Sequence, residues 1–279
     1  MLRIIPGGSR VRRSHLAWVF YNYLAHRLRH KVVRVHGHRM FLDPEDNLGL
    51  SVKGVHEPLT TEIFRKNIRK GNIMLDIGAN IGYFTLIAAS LVGNEGKVFA
   101  FEPNPSAFDI LRKNVEANGY ENVVLVPKAV SDTSGKVRLF LEKDANMRWS
   151  SIYDIHESSG SLEVDTIAID DFLATSYDGA VDFIKLDIEG AELAALRGMA
   201  GLVKKGGELK IVAEFRPSLL ERAGVSPEDF LNFFTDNGFQ LYYANEIHGE
   251  VRPSDKAGII RFCENYSATN LLCVRDSHA

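Results

Sequence analysis

Apolar positions along the chain change period several times, and each change predicts an element. Residues 14–28 place Leu16, Val19, Phe20, Tyr23, Leu24 and Leu28 on one helical face, with Trp18 and Tyr21 off that stripe. Val32 to Leu42 alternates with period two about His36-Gly37-His38, which predicts a hairpin. Leu59 to Ile68 returns to the helical period and ends at Gly71. From Ile73 the alternation of strand and helix is regular. An apolar strand from Ile73 runs through glycines into an amphipathic helix, Phe84 to Leu91, and Val98 to Phe101 is the next strand. Asn104 caps a helix with Pro105 at its first position, Phe108, Leu111 and Val115 form its inner stripe, and Asn118-Gly119 closes it. Asn122 to Val126 is a third strand.

Lys136 to Leu141 and Leu162 to Ile169 read as an added hairpin joined by the long polar loop Glu142 to Ser161, a length that points to function or mobility. Asp171 to Thr175 is a short helix, Val181 to Asp187 a buried strand, and Gly190 to Arg197 and Gly201 to Lys205 cross back as helix or turn. Leu209 to Phe215 is a strand, Ser226-Pro227 starts the helix Glu228 to Asp236, and Phe239 to Tyr243 and Asn270 to Arg275 are the last two strands. This succession predicts an α/β fold: a mostly parallel, doubly wound sheet with late antiparallel strands. Two regions are expected: a basic extension over 1–54 (helix plus hairpin) and the α/β domain over 55–279.

Charge adds an asymmetry. The formal net charge is −3, yet residues 1–42 carry nine of the 33 Lys/Arg and no acid. The remainder holds 24 bases against 36 acids, net −12, a poor general ligand for nucleic acid, whose affinity rests on phosphate neutralisation. The helix over 14–28 and its basic flanks leave three partners open. They can lie on an anionic membrane surface through residues 1–39, pack on the chain's own domain or a homodimer partner, or face an anionic substrate. His36 and His38 around one glycine lack a third metal ligand nearby, and a surface turn is the expectation. Cys263 and Cys273 have apolar or aromatic neighbours and no Cys-x-x-Cys spacing, which reads as two buried thiols in a reducing, cytoplasmic protein, membrane-peripheral at most. Leu16 to Leu24 is too short to span a bilayer or form a convincing signal peptide.

The candidate chemistry gathers at strand ends. In Ile73-Met-Leu-Asp-Ile-Gly-Ala-Asn-Ile-Gly-Tyr83, Gly78 and Gly82 let backbone approach a ligand, and the helix that follows aims its amides there. Glu102 stands 26 residues after Asp76, placed to accept both hydroxyls of a ribose. The turn is not Gly-x-Gly-x-x-Gly, and Asp76 would repel a pyrophosphate, so a nicotinamide dinucleotide is excluded. A carboxylate there suits the cationic methionine end of S-adenosylmethionine (SAM). The loop Pro127 to Asp132, with Ala129 and Val130, can pass under an adenine. Asp187 with Glu189, and Glu214, end two further strands and are left for an acceptor. A lone acid at a strand end is more often a cap or loop anchor; four such strand mouths facing one crevice favour a site.

These segments resemble the FkbM family of SAM-dependent methyltransferases: Leu75-Asp-Ile-Gly-Ala-Asn-Ile-Gly82, Ala100-Phe-Glu-Pro-Asn104, Ser150-Ser151, Ile184-Lys-Leu-Asp-Ile-Glu-Gly-Ala-Glu192 and Asn270-Leu-Leu272, over residues 55 to 275. The resemblance implies a Rossmann-like, seven-stranded sheet whose last strand is antiparallel, and methylation of a hydroxyl on a small-molecule, sugar or lipid-linked acceptor. It implies a cofactor set of Glu57, Asp76, Gly78, Ala79, Asn80, Gly82, Tyr83, Glu102, Pro103, Asn104, Ala129 and Val130. Asp187, Glu189 and Glu214 are the candidate catalytic acids, Asp187 first as base, and Trp149, Ser150, Ser151, Lys185 and Arg216 the candidate acceptor contacts. Arg216 departs from the family, which often has histidine near that point; it cannot act as a base and is expected to meet an anionic acceptor. Asp187 and Glu214 could instead hold a divalent cation that polarises the acceptor oxygen. The Asn/Asp-Pro-Pro-aromatic segment of base methyltransferases is replaced by Asp187-Ile-Glu-Gly, which argues against nucleic acid. A non-catalytic SAM-binding module remains the alternative.

Overall fold

The computed structural model describes residues 31–142, 150–154 and 158–276. The helix expected over 14–28 and Trp149 lie outside the described residues. Strands β1 (Val32–Val35) and β2 (His38–Phe41) pair antiparallel across the His36-Gly37 turn, and α1 (Leu50–Lys53) and α2 (Pro58–Asn67) follow. The first wound half is β3 (Ile73–Ile77), α3 (Tyr83–Val92), β4 (Lys97–Phe101), α4 (Pro105–Ala117) and β5 (Val123–Val126). Next come β6 (Ala129–Val130), β7 (Gly135–Glu142), β8 (Ser150–Ser151) and β9 (Ser158–Ile167), which form a separate sheet in the order β6-β9-β7-β8. The expected hairpin is its β7–β9 pair. The second half comprises α5 (Ile169–Ser176), β10 (Phe183–Leu186), α6 (Glu192–Arg197), α7 (Ala200–Lys204), β11 (Leu209–Phe215), α8 (Pro217–Arg222) and α9 (Pro227–Asp236). It ends with β12 (Gln240–Asn245), β13 (Glu250–Pro253), α10 (Lys256–Tyr266) and β14 (Thr269–Arg275).

The main sheet runs β13-β12-β14-β11-β10-β3-β4-β5, parallel from β11 to β5, with β14 antiparallel to both neighbours. The antiparallel last strand is as expected; the count of seven is corrected to eight. The extra strand is β13, folded back on β12 by a turn in which the Gly249 amide donates to the Asn245 carbonyl at 2.8 Å. Its sequence, Glu-Val-Arg-Pro, does not look like a strand because it lies at the edge, where charge and proline are tolerated.

Strand alternation divides the core. Leu75, Ile77, Phe99, Phe101, Ile184 and Leu186 pack with α5, α6 and α9 on one face. Met74, Val98, Ala100 and Phe183 pack on the other with α2, α3 and the β1–β2 hairpin. Asp76, Glu102, Lys185 and Glu214 fall on this second register, and Asp76 is the direct cross-strand partner of Lys185. The alternation that builds the core therefore collects these charges on one side of the sheet, towards its carboxyl end.

Candidate active site

A cleft opens beyond the carboxyl ends of β3, β4, β10 and β11, where an open parallel sheet reverses its winding. At its floor the chain turns with positive φ at Gly78 (83°), Asn80 (50°) and Gly82 (91°). A Cβ on Gly78 would lie 1.9 Å from the carbonyl oxygen of Asp187, so this glycine is required by the neighbouring turn rather than only by a ligand. A Cβ on Gly82 would meet Leu111 Cδ1 at 2.6 Å, and its absence lets α3 seat against α4. The amides of Gly78 and Ala79 both donate to the Phe101 carbonyl at 3.0 Å, tying the turn to the end of β4.

Glu102 follows directly. Its Oε2 accepts from the Asn80 amide and its Oε1 from the Asn104 amide, each at 2.8 Å, so both oxygens are fixed and each keeps a lone pair. Burial pushes its pKa up to about 7 despite those bonds. Asn104 is buried away from the cleft lining, where its side chain accepts from the Ser106 amide and caps α4. Ala129 and Val130 of β6 and Pro103 form an apolar wall beside Glu102.

Asp76 is not among the cleft-lining residues. It is fully buried beneath them, Oδ2 accepting from Thr85 Oγ1 at 2.5 Å while Oδ1 has no partner, and burial raises its pKa. Glu57 lines the cleft from the entry of α2. Its Oε2 accepts from Asn270 Nδ2 at 2.9 Å and its Oε1 lies 3.4 Å from His56 Nε2. Burial opposes its charge, but His56, Lys185 and Asn270 outweigh that and leave its pKa lowered. Tyr83 faces the cleft with its hydroxyl in a polar knot, 3.0 Å from Thr61 Oγ1 and 2.9 Å from His36 Nε2.

On the β10–β11 side the cleft becomes acidic. Lys185 donates to Asp187 Oδ2 at 3.0 Å; burial works against its charge, but Asp187, Asp76 and Glu57 together raise its pKa. Asp187, Glu189 and Glu214 bring carboxylate oxygens within 4.8 Å of one another. Burial and the Asp187 charge push Glu189 up to about 8, and burial with Asp187 and Glu189 pushes Glu214 well above its ordinary value. Arg216 Nη2 donates to Glu214 at 2.7 Å and Nη1 lies 3.8 Å from Glu189 Oε2. The arginine expected to meet an acceptor anion is thus directed at the protein's own carboxylates. The same three acids are the described residues that could hold a divalent cation, with Lys185 and Arg216 now supplying the positive charge beside them.

Ser150 lines the cleft, and Ser151 Oγ donates to the Glu189 carbonyl at 2.8 Å, so the added sheet braces the β10 turn. Glu192 braces it from within, accepting from the amides of Ile188 and Gly190 at 3.1 and 3.2 Å. Several lining residues carried no assignment from sequence: Asn47, Leu48, His56, Phe84, Lys128 and Ile188. His56 stands beside Glu57, Lys128 lies in the loop read as passing under an adenine and Ile188 in the segment Ile184 to Glu192; the others reach the cleft only through the fold.

The strand order, the glycine turn and the twin-anchored Glu102 define a Rossmann-like α/β protein with a cleft shaped for a nucleoside cofactor. The residues fit the cofactor at its nucleoside end, where Glu102 is pre-set for two hydroxyls beside Pro103, Ala129 and Val130; Asp76, expected from sequence to meet the methionine end, lies beneath the floor and does not line the cleft. Residues 76–241 match the Methyltransferase FkbM domain, and the chain belongs to that family. A curated relative, the hexuronic acid methyltransferase AglP of Haloferax volcanii, is 26% identical over 166 residues, covering 59% of this chain and 62% of AglP, less than two-thirds of its length. A SAM-dependent methyltransferase from Aquifex aeolicus is similar at 16% identity and a TM-score of 0.45, over 84% of this chain and 98% of that one. A SAM-dependent O-methyltransferase from Thermotoga maritima has 16% identity and a TM-score of 0.44, over 88% of this chain and 77% of that one.

Proposed function

We propose that this methyltransferase acts on oxygen, moving the methyl group of SAM to a hydroxyl of a small, sugar-type acceptor. The observation that carries the reading is the cluster of Asp187, Glu189 and Glu214 at the tips of β10 and β11. It lies across β3 from the Glu102 and Val130 end, where a ribose and adenine would rest. When bound, the cofactor supplies an electrophilic methyl group on a sulfonium. An alcohol is a weak nucleophile, so the chain must take its proton as the new bond forms. Asp187, held by Lys185, is the proposed acceptor of that proton. Glu189 and Glu214, with raised pKa values, hold protons near neutrality and orient the acceptor oxygen. The sugar component is supported by AglP, whose name specifies a hexuronic acid.

The test is incubation with SAM and a panel of polyols, glycosides and lipid-linked sugars, with mass spectrometry of the products. A methyl ether supports the reading; methyl transfer confined to nitrogen or carbon, or none, removes it. A second reading, in which Asp187, Glu189 and Glu214 hold a divalent cation against the acceptor oxygen, is favoured by their convergence. Loss of turnover in EDTA with recovery in Mg²⁺ would select it. No helix among the described residues is long and apolar enough to cross a membrane. Membrane contact through residues 1–39 stands as a proposal from charge alone; sedimentation with anionic liposomes before and after deletion of residues 1–30 tests it.

A further inference from the structure

The cofactor cleft does not end at Arg216. A second hollow opens from it, sharing Glu57, Glu214 and Arg216, and extends over the tips of β12 and β14 to the last turn of α10. The topology puts these parts together: Phe215 pairs with Thr269 and Tyr243 with Leu271, so β11 ends, β14 begins and β12 ends along one edge. Phe262 and Tyr266, one helical turn apart on α10, line the hollow with ring centroids 4.5 Å apart. Tyr243 backs Phe262 at 4.6 Å, making a three-ring ladder whose outer member, Tyr266, is 42% exposed. Glu246 also lines the hollow, its carboxylate fixed by the Leu59 amide at 3.1 Å and the Thr60 amide at 3.3 Å.

We infer that this hollow is the acceptor subsite and that it takes a pyranose ring, its C–H face on Tyr266, the outer ring of the ladder, and its hydroxyls towards Glu57, Glu214 and Glu246. This rests on the hydroxyl-methylation reading above. The chemistry of the walls selects the ligand class. Ionised carboxylates only accept and a protonated carboxyl both donates and accepts, so Glu57, Glu246 and the proton-holding Glu214 around an aromatic shelf call for a ligand with several hydroxyls about an apolar face. A phenol brings one donor and an acyl chain brings none. Tight, rigid aromatic packing also gives contact area at small entropic cost. A ring seated there reaches Glu214 and Asp187 through the mouth shared with the cofactor cleft.

The experiment uses the full chain saturated with S-adenosylhomocysteine, with methyl β-D-glucopyranoside and methyl β-D-glucuronide as probes. Saturation-transfer NMR should mark the ring C–H protons of at least one glycoside on the wild type. The effect should be lost in Tyr266→Ala and kept in Tyr266→Phe, while calorimetry gives the same cofactor affinity for all three. In turnover, Tyr266→Ala should raise KM for the glycoside about tenfold, the scale of a lost aromatic stack. No signal from either glycoside on the wild type, or an equal signal in Tyr266→Ala, overturns the subsite. Glycosides that bind at Tyr266 yet never gain a methyl group would uphold the shelf and retire the hydroxyl reading. Glycosides methylated with unaltered KM by Tyr266→Ala would uphold that reading and retire the shelf.

Discussion

Asp187 acts on three neighbours at once. Its carboxylate accepts from Lys185, and its charge helps to raise the pKa values of Glu189 and Glu214. Asp187→Asn keeps the shape but removes the proposed proton acceptor. Turnover should fall about 10²–10⁴-fold, the usual scale for a general base, with cofactor affinity unchanged by calorimetry. Undiminished turnover would end its assignment as base. Glu102 makes the complementary case on the cofactor side. Glu102→Gln puts an amide NH₂ against one of the two backbone donors at Asn80 and Asn104 and removes an acceptor for the ribose. A loss of about 1.5–3 kcal/mol is expected for a hydrogen bond to a charged group, roughly 10- to 100-fold in Kd. Because the carboxyl has a pKa of about 7, wild-type cofactor binding should weaken as pH falls through that value, and Glu102→Gln should lack this dependence. Titration calorimetry on either side of neutrality would measure both.

Two elements hold the floor of the cleft. The β3–α3 turn is locked from below by Gly78, where a side chain would meet both positive φ and the Asp187 carbonyl. The β1–β2 hairpin clamps it from the side through Asn114 of α4. That fully buried amide accepts from the Phe41 amide at 2.6 Å and donates to the carbonyls of Phe41 at 3.0 Å and Ile81 at 2.7 Å. Asn114→Ala would leave three backbone groups short of a partner, and a loss of about 2–4 kcal/mol in urea unfolding is expected, with weaker cofactor binding. A stability change below about 0.5 kcal/mol would show the hairpin is held by its apolar contacts alone. These elements were legible because period, caps and glycines agreed: Asn104-Pro105 and Ser226-Pro227 start α4 and α9 as read. The region 245–268 was not legible. Only Ile259 and Cys263 of α10 are buried, too few to mark a stripe, and β13 is a charged edge. Both cysteines are buried and free, burial pushing the Cys263 thiol up to about 12.

At the scale of the whole molecule, the fold assembles acids faster than it neutralises them. The sequence showed which strand tips carry carboxylates, because each follows an apolar run. It could not show that Asp76 would sink beneath the floor or that Arg216 would turn inward to Glu214, since both depend on how the strands align. The outcome is a set of buried groups whose pKa values are raised chiefly by desolvation: Glu102 and Glu192 to about 7, Glu189 to about 8, and Glu214 well above its ordinary value. In the unfolded chain these glutamates titrate near 4.5, so between there and about pH 8 the native state holds more protons than the unfolded one. These glutamates therefore make stability fall as pH rises across that window. Lys185, raised from 10.5, and Glu57, lowered from 4.5, act outside the window; His36 and His38, lowered from 6.5 chiefly by burial, act inside its lower part and oppose the slope, two histidines against four glutamates. The thermal midpoint of the cofactor-free protein should therefore drop by several degrees from about pH 5.5 to about pH 8.5, and Glu189→Gln should flatten part of the drop. A midpoint that rises over the same range would mean these carboxyls are ionised in the folded protein, and the proton-holding roles given to Glu189 and Glu214 would have to be withdrawn.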